Sequence, residues 1–192
     1  RQLSVRFEQV DSNGLLPLRA SDHAYPTAFA FRRFMQQNLP NQLANFPQAN
    51  PFRGKKLPRL RASPAEIAKR WPPVELGSLE DRDKLVGQLP IDHSVAKAPF
   101  HGGQLTARKV LKTFLRSRLA RYALERNEPQ KDGTSGLSPY LHFGHISAHE
   151  IFVELMREQE WSVDAMEPTK PTGKRHGWWE GLSESAEEFL DQ

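Results

Sequence analysis

Cysteine is absent from all 192 residues, which excludes disulfides and thiolate metal sites and suits a reducing cytoplasm. No run approaches the ~18 apolar residues of a membrane span, and no signal peptide is recognisable. The expectation is a cytoplasmic protein with no membrane partner, and a monomer. Acid is scarce over the first three quarters of the chain. Residues 1–146 carry 23 basic and 12 acidic side chains, whereas residues 147–192 carry 4 and 11. A basic section of this size favours a polyanionic partner such as DNA, although a solvated basic surface has the same composition. The sequence begins with Arg1 rather than Met and ends with Phe189-Leu190-Asp191-Gln192 inside an unfinished helical pattern, so it reads as a fragment.

Apolar residues make up 38% of the chain, enough for a core. Ser4 to Val10 alternates Val5 and Phe7 with polar neighbours and reads as a strand. Ser12-Asn13-Gly14 is a turn signal, and Leu15 to Leu18 a short extended segment. A helix is expected over roughly 26–37, with Ala28, Phe31 and Met35 at helical spacing. From Leu39 to Pro73 seven prolines recur among Arg53, Lys55, Lys56, Arg59 and Arg61, the composition of a linker or a wrapped extended segment. Within it a short helix is expected over 64–70, capped by Ser63 with Glu66 three residues on. Residues 78–87 predict another short helix, and 89–95 an extended stretch.

The strongest helical pattern runs over 104–126. Ala107, Leu111, Leu115, Leu119 and Tyr122 line one face, with Phe114 beside them. Between 108 and 121 there are six basic residues and no acid, a solvated face or an aid to binding an anion. Further on, Ser147-x-x-Glu150 forms a capping box, and Ile151, Phe152, Leu155 and Met156 give the following helix its apolar face. Ser183 or Ser185 begins a last helix. His142, His145 and His149 lack a completing carboxylate and straddle the Gly144 break, so packing or hydrogen bonding is expected of them and no metal.

The stretch between these helices carries the chemistry. In Asp132 to Ser147, Gly133 and Gly136 bracket Thr134 and Ser135, and Ser138 stands directly before Pro139. Ser138 reads as an N-cap with proline at the first helical position. A helix start surrounded by hydroxyls offers unpaired N–H groups to an anion such as a phosphate. The same residues also serve as a plain capped helix entry, and residue types alone do not separate the two.

Thr134-Ser135-Gly136-Leu137-Ser138, followed by Pro139-Tyr140-Leu141 and Phe143-Gly144-His145-Ile146-Ser147, resembles the flavin-phosphate segment of the photolyase/cryptochrome family. Leu141-His142-Phe143-Gly144 is most similar to class II and related bacterial cyclobutane-pyrimidine-dimer photolyases. The family also has a tyrosine about a dozen residues upstream in a Y…R…P context, here Tyr122, Arg126 and Pro129. The resemblance implies a mainly α fold, the start of an all-α FAD-binding domain. It implies residues 1–38 as the C-terminal edge of an α/β antenna-type domain, 39–99 as a proline-rich linker with short helices, and 100–192 as the first, truncated part of the helical domain. FAD would be held by Tyr122, Thr134, Ser135, Leu137 and Ser138, with Gly136 in the variable place. The implied partner is damaged DNA with its pyrimidine dimer flipped out of the duplex. The catalytic residues are unassigned and expected after Gln192. In the family an aromatic pair near Trp178-Trp179 packs the flavin domain. Two rivals share parts of this pattern: a cryptochrome-like blue-light photoreceptor, and a flavin-free helical nucleic-acid-binding module. Dimer repair under blue light separates the first rival, and flavin absorbance the second.

Overall fold

The computed structural model describes residues 7, 11, 14–58, 64–73, 77, 81–166 and 171–192. The chain divides into two units, one formed by Arg1–Pro47 with His101–Gln192 and the other by Gln48–Phe100. Every regular element among the described residues is helical, so the fold is mainly α. The expected strand at Ser4 to Val10, the Ser12-Asn13 part of the turn, the Ser63 cap and Ser78 to Glu80 lie outside the described residues.

The larger unit starts with α1 (Ala28–Leu43), capped by the Thr27 hydroxyl, which accepts the Ala30 N–H at 3.2 Å. This helix runs six residues past the end expected from sequence and through Pro40. Proline removes one helical hydrogen bond, but Leu39 and Leu43 on either side of it are buried, which holds the last turns. Leu18–Ala20 forms a 3-10 turn rather than the end of an extended segment.

α4 (Gln104–Ser117) buries Ala107, Leu111, Phe114 and Leu115, as their spacing predicts. The helix does not continue unbroken to residue 126. Arg118 leaves helical geometry at φ −121°, a 3-10 turn follows at Leu119–Arg121, and α5 (Tyr122–Glu125) resumes. The bend lets Tyr122 meet Phe114 edge to face, with ring centroids 5.5 Å apart. α6 (Ser138–His142) is one and a half turns long and gives way to Gly144 at φ 66°. α7 (Ala148–Glu158) buries Ile151, Phe152, Leu155 and Met156, and α8 (Glu184–Leu190) begins after Ser183, whose hydroxyl accepts the Ala186 N–H at 3.3 Å.

One apolar core joins these helices. Phe114, Phe152, Leu111, Leu137 and Leu155 are its fully enclosed large side chains, each contributing about 1.5–3 kcal/mol by burial. Trp178 and Trp179 are buried too; Trp179 lies 5.8 Å from Phe152 and 5.7 Å from Trp161. A polar seam closes the far side. Glu188 of α8 meets Arg126 at 2.8 Å, Arg175 at 2.9 Å and His176 at 3.2 Å. Glu187 accepts the Gly177 and Trp179 N–H groups at 3.1 and 2.9 Å. Gln36 of α1 accepts the Gly173 N–H at 2.8 Å and donates to the Lys174 carbonyl at 2.9 Å.

The smaller unit holds α2 (Ala65–Arg70) and α3 (Arg82–Gly87). Asp81 caps α3 by accepting the Lys84 N–H at 3.0 Å. Residues 89–95 are turns rather than extended chain, because Asp92 accepts both the N–H and the hydroxyl of Ser94. None of the residues of α2 is buried.

The Ser147 hydroxyl accepts the Glu150 N–H at 3.0 Å. The Glu150 carboxylate, the other half of the expected capping box, pairs instead across to Arg108 of α4. Ser147→Ala should therefore cost about 1 kcal/mol and lower the thermal midpoint; an unchanged melt would remove Ser147 as the cap.

Candidate functional site

The loop that carries the hydroxyls is positioned by the bend after α4. At Arg118 the guanidinium turns back, pairing with Asp132 at 2.8 Å and donating to the Ser135 carbonyl at 3.5 Å. Its Nε is buried with no hydrogen-bond partner among the described residues. Gly133 is buried against the end of α5: a Cβ there would stand 2.6 Å from the Glu125 backbone. Only glycine lets the loop pass so close. Gly136 takes φ 70°, the left-handed turn that glycine adopts without strain. The Ser135 hydroxyl accepts the Leu137 N–H at 3.3 Å, and Leu137 plugs into the core at 1% exposure.

These anchors sort the six residues marked out by sequence. Thr134, Gly136 and Ser138 are exposed, Ser135 is half-buried, and Leu137 is core. Together they form one continuous loop running into α6. Tyr122 lies on the inner side: its ring meets Phe189 edge to face at 5.4 Å, and the Arg126 guanidinium lies 5.8 Å from its centroid. Ser138 is not the cap expected from the Ser-Pro pair. It is the first residue of α6, Leu137 precedes it in helical geometry, and no side chain caps this end. The Leu137 carbonyl accepts the Leu141 N–H at 2.9 Å, so burial of Leu137 sets the helix start in place of a hydroxyl. The Ser138 hydroxyl is thereby left on the surface.

Beside the loop lies a cleft of about 610 Å³ lined by Thr113, Ser117, Arg118, Arg121, Lys131 and Asp132, with Glu125 at one side. Arg121 pairs with Glu125 at 3.2 Å and Lys131 with Glu125 at 3.6 Å. Arg118, which braces both loop and cleft, has no special signal in the sequence beyond its place in a basic helix. Glu187 and Glu188 were equally silent: two acids in an acidic tail, yet both are buried.

The histidines are occupied in other ways. His145 Nδ1 accepts the Gly103 N–H at 3.1 Å and so fixes the start of α4. His149 packs edge to face on Phe46 at 5.5 Å. Among the described residues no group of three His, Asp or Glu side chains is arranged to hold a metal.

The fold and loop define a helical module built round a hydroxyl-rich, arginine-braced segment. Comparison with known proteins narrows this. A deoxyribodipyrimidine photo-lyase of Potorous tridactylus is 27% identical over 166 residues, 84% of this chain and 28% of the relative. One of Arabidopsis thaliana is 29% identical over 174 residues, 85% of this chain and 32% of the relative. One of Methanothermobacter thermautotrophicus is 27% identical over 146 residues, 76% of this chain and 29% of the relative. The chain thus spans less than a third of the length of these curated relatives. No family model and no solved structure matches it. These similarities relate the chain to deoxyribodipyrimidine photo-lyases and support a photolyase-family reading.

Two outcomes follow from the geometry. Gly133→Ala should destabilise the protein by about 1–3 kcal/mol, the usual cost of overpacking, because its methyl group meets backbone. A variant as stable as the parent would show that the loop does not lie against Glu125. The second concerns His149, whose burial pushes its pKa below the ordinary histidine value. The unfolded chain then binds the proton more readily, so His149 supports stability above about pH 6.5 and that support is lost as pH falls. Melts recorded from pH 7.5 to 5 should fall more steeply for the parent than for His149→Gln; parallel curves would refute the assignment.

Proposed function

We propose that residues 1–192 contribute the first part of the flavin-binding helical region of a deoxyribodipyrimidine photolyase, an enzyme that splits pyrimidine dimers in DNA. The observation that carries the reading is the loop at 134–138, held by Arg118 and Gly133 so that Thr134 and Ser138 face outward. The relatives' shared name supplies the reaction class. Within the family, Leu141-His142-Phe143-Gly144 favours the class II branch. Residues 1–38 are then the edge of an α/β antenna-type domain and 39–99 the linker. The absence of cysteine favours the cytoplasm.

The residues present suit the phosphate end of FAD. Thr134 and Ser138 offer hydroxyl donors, and the Arg118 side chain supplies positive charge behind the Ser135 carbonyl. Hydrogen bonds from such groups to a charged oxygen are stronger than neutral ones. Tyr122, 6% exposed, presents at most one edge of its ring to a ligand, while its body supports the bend that sets the loop. Leu137 contributes by anchoring the loop in the core. FAD bound here would supply light-driven electron transfer to the dimer. The role of this chain is to hold and orient that cofactor.

The test replaces Thr134, Ser135 and Ser138 together by Ala in the polypeptide that carries these residues. Each lost hydrogen bond to a phosphate is worth about 1.5–3 kcal/mol, so FAD should bind at least tenfold more weakly. Melting curves control for loss of the Ser135 contact to Leu137. Full flavin occupancy in a stably folded triple variant would remove the loop from the site, and a parent that never takes up flavin would overturn the reading itself.

A further inference from the structure

The six basic side chains between 108 and 121 divide into two sets. Arg108 pairs with Glu150, Arg118 with Asp132 and Arg121 with Glu125. Lys109, Lys112 and Arg116 have no carboxylate partner among the described residues and are exposed. Their spacing is i, i+3, i+7, which places all three on one line along α4. At 100° per residue that line lies opposite the face formed by Ala107, Leu111, Phe114 and Leu115. It extends for about 10 Å along the axis at 1.5 Å per residue. Acidic side chains are missing from the whole of α4, so nothing on the helix neutralises the line.

Paired arginines on a helix flank serve the fold. A line of cations away from the core has no carboxylate partner among the described residues, and its mutual repulsion is relieved when a polyanion lies along it. We propose that Lys109, Lys112 and Arg116 form a contact surface for the phosphate backbone of duplex DNA. The inference rests on the photolyase reading, and names a place on the molecule where the substrate's backbone lies. Charge complementarity selects the partner: a duplex presents closely spaced phosphates along its length, and three cations spaced over two turns can engage successive ones. Such contacts position the duplex and read no sequence. They should therefore act alike on damaged and undamaged DNA.

The experiment measures binding of a defined duplex, with and without a single pyrimidine dimer, across a salt series. The proteins are the polypeptide carrying this chain and its Lys109→Gln/Lys112→Gln/Arg116→Gln variant. Each phosphate contact contributes about 0.9 to the slope of log K against log salt, so the variant's slope should be shallower by about 2.7. Affinity for both duplexes should fall by the same factor, with melting point and flavin content unchanged. A variant that binds both duplexes with the parent's slope overturns the surface and leaves the photolyase reading standing. A parent that binds neither duplex at low salt overturns both. Loss of binding to anionic phosphatidylserine vesicles, with DNA binding intact, would assign the line to a membrane surface and also refute the proposal.

Discussion

Glu188 is the constraint on which the larger unit turns. A carboxylate nearly withdrawn from water is tolerable only with cations around it, and here they arrive from two directions. Arg126 comes from the end of α5, while Arg175 comes from the segment before the tryptophan pair, with the His176 imidazole 3.2 Å from the same carboxylate. Satisfying one charge therefore fixes α8 against both. Ser185 adds a neutral clasp, donating to the Ala120 carbonyl and accepting the Ala123 N–H. With α8 so placed, Phe189 can close on Phe114 and Tyr122, and the bend after α4 is held from its inner side.

The candidate site inherits its geometry from that bend. At the break the Arg118 guanidinium reaches back to Asp132 and the Ser135 carbonyl. The break thus exchanges a few helical hydrogen bonds for a brace on the following loop. The loop is fixed at three points of different character: an ionic contact at Asp132, a close backbone passage at Gly133 and an apolar plug at Leu137. Beside them the hydroxyl-bearing Thr134 and Ser138 stay on the surface, a preorganised arrangement of the kind that favours binding.

Periodicity made much of this legible. Ala107, Leu111, Phe114 and Leu115, and later Ile151, Phe152, Leu155 and Met156, are all core, because repeated apolar spacing reports burial directly. Ser147 read correctly as a start, and of Ser183 and Ser185 the first is the cap, since a hydroxyl before a helix has a local purpose. The errors arose where a tertiary contact overrode a local preference. Pro40 looks like a stop, but buried leucines carry α1 past it. Residues 104–126 look like one helix, but aromatic packing and the Arg118 brace divide it. Ser138 looks like a cap, but Leu137 sets the start. The candidate site residues were marked out by their resemblance to a family segment, while Arg118 and Glu188, whose importance comes from partners elsewhere in the chain, left no local trace.

The sequence distance between α1 and its partners has its own consequence. Gln36 bonds to Gly173 and Lys174, and Arg32 to Gly173 and Asp191, across well over a hundred residues. The other helices of this unit, from α4 to α8, lie within one stretch of 87 residues, Gln104–Leu190. Closing a longer loop costs more chain entropy, and α1 must meet that cost with its own contacts alone. A few hydrogen bonds, one ion pair and the burial of Leu39 and Leu43 therefore set how often this helix lifts away. Among the longer helices of this unit, it is the one whose amide protons should exchange first.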